Sequence, residues 1–321
     1  MRIALAIIAT LCLAASPAGA AGIQQITLPD TEGAIALEGA VWTPCAAAPE
    51  TVTLRRLPLP GTANCPVVGE DLPLVVISHG ARGWFGGHQD TAAALADAGF
   101  VVAAITHPDA PGRAWRAERP AAIKRLVDFM LENWADHERL DGRRIGFFGF
   151  SRGGYTGLVL IGGTPDFRLA GRHCQEVPDD PICRVGPDAG PPPGSAPAPA
   201  GPFTQDPRIG AAVIAAPLGL VFSPEGLQGV SVPVQLWRPE NDALARHPYN
   251  AEAVYQGLPQ KPEYHVVAGA GHFAILAPCL PPQAARAPAI CKDAPGFDRT
   301  AFHRAFNADI LAFFRRHLGV Q

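Results

Sequence analysis

The chain has 321 residues, of which 48% are hydrophobic and 17% charged, and its formal net charge is −3. A balance this close to neutral, with no basic stripe, argues against nucleic acid and anionic membrane surfaces as partners. The apolar fraction is large enough for a sizeable core, while the charged fraction lies below that of an average globular domain.

The first twenty residues read as a leader. Arg2 gives a short positive start, Ile3 to Ala15 is an apolar run, and Ser16-Pro17-Ala18-Gly19-Ala20 ends in a small-x-small cleavage site, so cleavage is expected after Ala20. A membrane anchor is the alternative, but the run is shorter than the roughly twenty apolar residues a span requires. Cys12 lies inside it behind Leu11, a poor match to a lipoprotein site, and there is no twin-arginine pair. No later apolar run is long enough to span a membrane. Residues 21–321 suffice for one large α/β domain or two small ones. The expectation is a single-domain, periplasmic or secreted monomer.

Residues 21–70 read as strands and turns, with alternating stretches such as Ala34-Ile35-Ala36-Leu37-Glu38. Leu72 to Ser78 is an apolar, β-branched run typical of a buried parallel strand. Residues 88–98 are alanine-rich and helical, closed by Gly99, and Phe100 to Ile105 is a second buried strand. Ala121 to Trp134 carries Ile123, Leu126, Val127, Met130 and Leu131 at helical spacing. Arg144 to Phe148 reads as a short strand and 152–161 as a helix. Later strands are expected at Ala211–Ala215, Val232–Trp237 and Tyr264–Val267, with an amphipathic helix from Ala301 to His317. Strands alternating with helices from residue 72 onward predict an α/β domain with a mostly parallel sheet flanked by helices. Residues 163–208, rich in Pro, Gly and Asp, break the rhythm. This insertion is expected to pack poorly as a surface excursion, either passive or a lid contacting substrate.

Without Cys12, the cysteines fall as three sequence-local pairs: Cys45 and Cys65, Cys174 and Cys183, Cys279 and Cys291. In an exported protein an even, locally paired set points to disulfides, and nearest-neighbour pairing is the expectation. Zinc is the alternative for these sulfurs, but neither C-x-x-C nor H-E-x-x-H spacing is present. No metal site is expected.

The chemistry centres on Gly146-Phe147-Phe148-Gly149-Phe150-Ser151-Arg152-Gly153-Gly154. Gly149 and Gly153 flank Ser151 in a G-x-S-x-G pattern between a strand and a helix, where a strained turn exposes a nucleophilic serine. A base is expected late in the chain, and His272 follows a predicted strand within Ala268-Gly269-Ala270-Gly271-His272-Phe273. The acid is expected between them: Asp242, in Arg238-Pro239-Glu240-Asn241-Asp242, with Glu240 as its rival. The order Ser, Asp, His is the one α/β-hydrolases use. Two backbone N–H groups are needed for a developing oxyanion. Arg152 supplies one, and Ala81, in the turn Ser78-His79-Gly80-Ala81-Arg82-Gly83, supplies the other, with Gly80 supporting that turn. The Arg152 side chain is expected to pair with a local acid, with a substrate carboxylate as the alternative. His107, Asp109, Trp84 and Phe85 follow strand ends and are further candidates to line the site.

The stretches VVISHGARG, ALADAGFVVAAITHPD, GFFGFSRGG, WRPENDAL and GAGHFAILAPC together resemble the dienelactone-hydrolase-like group of bacterial α/β-hydrolases, related to the platelet-activating-factor acetylhydrolases. The resemblance covers roughly residues 30–320. It implies an α/β-hydrolase fold and hydrolysis of soluble or amphipathic carboxylic esters without a cofactor. It carries over Ser151, Asp242 and His272, with Ala81 and Arg152 as oxyanion donors. True dienelactone hydrolases use a cysteine nucleophile where this chain has Ser151, so the name does not carry the substrate. An acyltransferase on the same three residues, a peptidase and a catalytically silent binding module are the competing readings. The polar, proline-rich excursion argues against a long-chain triglyceride lipase.

Overall fold

The computed structural model describes residues 21–55, 57–109, 114–184 and 203–320. The leader read at 1–20, with Cys12, and the 185–202 portion of the insertion lie outside the described residues.

Ten strands among the described residues form one sheet in the order β10-β9-β8-β7-β5-β6-β2-β1-β4-β3. The first four are β1 (Gly22–Leu28), β2 (Leu37–Thr43), β3 (Glu50–Leu54) and β4 (Leu57–Ala63). They are followed by β5 (Leu72–Ser78), β6 (Val101–Ile105) and β7 (Leu140–Phe150). The last are β8 (Ile209–Ala215), β9 (Val234–Pro239) and β10 (Glu263–Val267). From β10 to β6 every neighbour runs parallel. Beyond β6, the pairings with β2, β1 and β3 are antiparallel, and β4 pairs parallel with β1.

The helices are α1 (Gln89–Asp97), α2 (Trp115–Glu132), α3 (Arg152–Leu160), α4 (Arg168–Glu176), α5 (Ala251–Gly257), α6 (Pro281–Arg286), α7 (Pro288–Cys291) and α8 (Arg299–Leu318). Side chains alternate across a strand, so β5 feeds two cores. Leu74 and Val76 pack with Ile123, Leu126 and Leu158 of α2 and α3. Val75 and Ile77 pack on the other face with Leu95 of α1 and Phe306, Phe313 and Phe314 of α8. Burial on both faces is why β5 reads as an unbroken apolar run. The chain is an α/β protein with a mostly parallel central sheet and helices on both faces.

Two expectations change. Helix α2 begins at Trp115, six residues before the expected start at Ala121, with Pro120 inside it. Pro120 has no N–H to give the Arg116 carbonyl one turn back. The Tyr155 hydroxyl donates to that carbonyl instead, at 3.1 Å, and the helix continues through the proline. The described part of the insertion, 163–184 and 203–208, also holds regular, packed structure. It contains α4, whose Ala170 is fully buried, and Asp180, also fully buried, which receives a hydrogen bond from His173 Nε2 at 3.0 Å.

All six cysteines of the described chain are bridged as Cys45–Cys65, Cys174–Cys183 and Cys279–Cys291, so no sulfur remains for zinc. The first bridge crosses the start of β1. A Cβ on Gly22 would lie 3.1 Å from Cys65 Cβ and 3.4 Å from Cys45 Cβ. Closing loops of this size stabilises a fold by roughly 3 kcal/mol. Cys45→Ala/Cys65→Ala should therefore lose about 3 kcal/mol of unfolding free energy in urea titration. Mass mapping of the unreduced protein should find the three local bridges and no free thiol among these six residues.

Candidate active site

The sheet's order creates the site. After β5 the chain passes through α1 to β6 on one side, then through α2 to β7 on the other side of β5. The crevice beyond the carboxyl ends of β5 and β7 is thus a topological switch point, where open α/β sheets bind ligands. The turn Ser78 to Gly83 leaves β5 there, and Ser151 follows Phe150, the last residue of β7.

Ser151 has φ 58° and ψ −116°, a strained conformation for a residue with a Cβ. Its surroundings hold it there. Its N–H donates to the Ala215 carbonyl at 2.9 Å, and its carbonyl accepts from Leu218 and Tyr155 N–H, each at 3.1 Å. The flanking glycines leave room for the turn. A Cβ on Gly149 would strike the Gly153 carbonyl, and one on Gly153 would strike the Ser78 carbonyl. A Cβ on Gly80 would press on the Phe150 ring at 3.0 Å and lie 3.3 Å from Ser151 Cβ, so the Gly80 turn runs directly against the serine.

Ser151, His272 and Asp242, far apart in sequence, meet in one chain of contacts. His272 Nδ1 lies 2.7 Å from Asp242 Oδ2, and its Nε2 lies 3.1 Å from Ser151 Oγ. The carboxylate can only accept, so Nδ1 carries the proton and Nε2 presents a lone pair to the serine hydroxyl. Asp242 Oδ1 accepts from the N–H groups of Leu244 and Ala245 at 2.8 and 2.7 Å, which fixes the carboxylate plane. Glu240 does something else: its Oε2 accepts from Gly269 N–H at 2.8 Å and ties down the loop that carries His272. Below that loop, His303 sits between Asp90 Oδ2 and the Ala274 carbonyl, at 2.6 and 2.8 Å.

The turn after β5 is held from beneath by buried polar groups. His79 Nε2 accepts from His107 N–H at 2.9 Å, so Nδ1 carries the proton and donates to the Gly80 carbonyl at 2.6 Å. Burial and then the Arg119 charge lower His79 to a pKa of about 3. Burial likewise lowers His88 to about 4, and burial with the charges of Arg119 and His79 holds His107 well below its usual range. Burial raises the Asp109 carboxyl, but Arg119 and the Arg82 N–H outweigh it and hold it below the ordinary value. The Arg152 guanidinium lies 3.8 Å from Asp109 Oδ1 and 4.5 Å from the Trp115 ring centre.

A cavity of about 450 Å³ opens beside Ser151 and His272. Ala81 and Arg152 line it, as do Gly80 and Trp84. Phe85 is buried behind Trp84, and His107 Nε2 is turned to Ser78 Oγ at 2.8 Å. Among the described residues, His107 and Asp109 support the turn and do not face the cavity. The apolar walls come from Leu57 and Leu59 of β4, which the sequence did not mark, from Ile182 of the insertion read as a passive excursion or a lid, and from Leu276 and Ile290 near the third disulfide. The alternation of Leu57-Pro58-Leu59 was the available signal for the first two.

No protein-family model matches the chain, and no curated protein matches it.

His79, His88 and His107 refuse protons in the folded state that they accept in the unfolded chain. Stability from them is complete above the ordinary histidine value of 6.5 and is lost as pH falls below it, down to about 3 to 4 for His79 and His88. Each contributes a slope of at most about 1.4 kcal/mol per pH unit. Thermal melts should therefore show Tm falling steadily below pH 6.5. A flat Tm across that range would contradict the neutral, buried assignment of these rings.

Proposed function

We propose that the protein is a serine hydrolase of the α/β-hydrolase fold that cleaves carboxylic esters through an acyl-serine intermediate. The observation that carries this reading is the hydrogen-bonded chain from Ser151 through His272 to Asp242 at the rim of an apolar cavity. His272 Nε2 takes the Ser151 proton as Oγ attacks the acyl carbon, and Asp242 stabilises the imidazolium that forms. The Arg152 N–H, at the start of α3, and the Ala81 N–H receive the developing oxyanion. His272 then protonates the departing alcohol, and water repeats the sequence to release the acid. The motif resemblance to dienelactone-hydrolase-like enzymes supports the same chemistry.

The cavity's apolar walls favour an ester with a bulky apolar group. Three disulfides persist best in an oxidising compartment, which supports the periplasm or the exterior as the place of action.

A panel of p-nitrophenyl esters of rising acyl length tests the reading. Wild type should turn them over and Ser151→Ala should not; retained hydrolysis in that variant would sink the nucleophile assignment. Asp242→Asn should lower kcat by about 10⁴, while Glu240→Gln, whose side-chain oxygen accepts from the Gly269 N–H, should change it little. Ile182→Ala should shift preference toward bulkier acyl groups by roughly tenfold in relative kcat/KM. An unchanged chain-length profile would place Ile182 outside the substrate's path.

A further inference from the structure

The peptide joining Gly80 to Ala81 is gripped from one side by an unusual number of donors. Its carbonyl oxygen accepts from His79 Nδ1 at 2.6 Å, from Arg119 Nη2 at 3.1 Å and from Gly83 N–H at 3.2 Å. Arg119 Nη1 also donates to the preceding carbonyl, that of His79, at 2.7 Å. The guanidinium is itself fixed, with Nε 2.8 Å and Nη2 2.7 Å from Asp109 Oδ1. Asp109 in turn accepts from Arg82 N–H at 2.6 Å, so the same ion pair grips the turn at both ends. Arg119 is only 1% exposed.

A trans peptide is planar, and its C=O and N–H point in opposite directions. Anchoring the Gly80 oxygen toward α2 therefore fixes the direction of the Ala81 N–H on the far side of that plane. Ala81, which carries that N–H, lines the cavity together with Ser151. Gly80 passes near enough to Ser151 that an added Cβ would lie 3.3 Å from the serine Cβ.

We propose that Arg119, assisted by His79, is a positioning residue: it holds the 80–81 peptide so that the Ala81 N–H is pre-aimed at the oxyanion formed on Ser151. This rests on the serine-hydrolase reading above. The effect belongs to the transition state, because a preorganised donor stabilises charge that the ground-state ester has not yet developed. The planar fork is needed, since two carbonyls and a carboxylate are addressed by one rigid group. A lysine ammonium, a point charge on a flexible stem, does not reproduce that geometry.

The test is steady-state p-nitrophenyl ester kinetics on wild type, Ser151→Ala, Arg119→Lys and Arg119→Ala, the last with and without added guanidinium. Titration of the wild type and Arg119→Lys with an alkyl boronic acid, which forms a tetrahedral adduct on the serine, completes it. Arg119→Lys should lose roughly 100-fold in kcat, as when one oxyanion donor is removed, with KM little changed. Boronic acid affinity should fall in parallel, and guanidinium should restore part of kcat to Arg119→Ala. If Arg119→Ala is too unstable to purify, Arg119→Lys with the boronic acid decides alone. An Arg119→Lys enzyme with near wild-type kcat, or one whose loss lies wholly in KM, overturns the proposal while leaving the hydrolase reading intact. An inactive wild type, or an active Ser151→Ala, overturns both.

Discussion

Between β5 and β7 the backbone is packed so closely that no side chain fits at Gly153, where a Cβ would strike the Ser78 carbonyl. That contact joins the two turns at the switch point and sets their relative height. It brings α3 up against the end of β5 and leaves Ser151 at the crest of the β7 turn with positive φ. A strained serine persists only where its surroundings over-determine it. Here the Ala215 carbonyl and the Leu218 and Tyr155 N–H groups supply that constraint. The elements that place His272 and Asp242, the loops after β10 and β9, then converge on a serine already fixed in space.

The polar groups around this point divide into two populations. Ser151 and His272, at the cavity, form a chain with Asp242 in which each proton position follows from what its partner can accept. Those beneath the Gly80 turn, His79, His107, Arg119 and Asp109, are spent on holding backbone. Burying a charge without compensation is expensive. The histidines of the second group meet that constraint by staying neutral, and Arg119 meets it by pairing with Asp109. Glu240 shows how two acids two residues apart diverge. Asp242 is buried and bound to His272, whereas Glu240 is exposed and bound to the Gly269 N–H.

Part of the cavity wall comes from less regular parts of the chain. Ile182 follows Asp180, whose Oδ1 accepts from the Ile182 N–H at 3.1 Å, and it precedes Cys183 of the second disulfide. Cys279 and Cys291 of the third disulfide lie in the wall itself. Segments with little hydrophobic core of their own are thereby given a defined shape. The covalent bridges stand in for packing that proline- and glycine-rich sequence does not provide.

Strands β5 to β10 and helices α1, α2, α3 and α8 were legible in the sequence because doubly buried parallel strands are continuous apolar runs and these helices carry a 3.6-residue stripe, whereas the short helices α4 to α7 were not. The three cysteine pairs were legible from their local spacing, and Ser151, Asp242 and His272 from their positions after strands in a set order. What stayed hidden depended on distant partners. Arg119 lies ahead of the expected helix start at Ala121, in a turn that contains Pro120, where the Arg116 carbonyl takes its hydrogen bond from the Tyr155 hydroxyl, 39 residues further along the chain. The use of Leu57, Ile182 and Ile290 as neighbours was likewise decided by tertiary contact. Local sequence carries the period of an element and the strain of a turn. Which groups face one another across a crevice is set by the order of strands in the sheet, and no local pattern encodes that order.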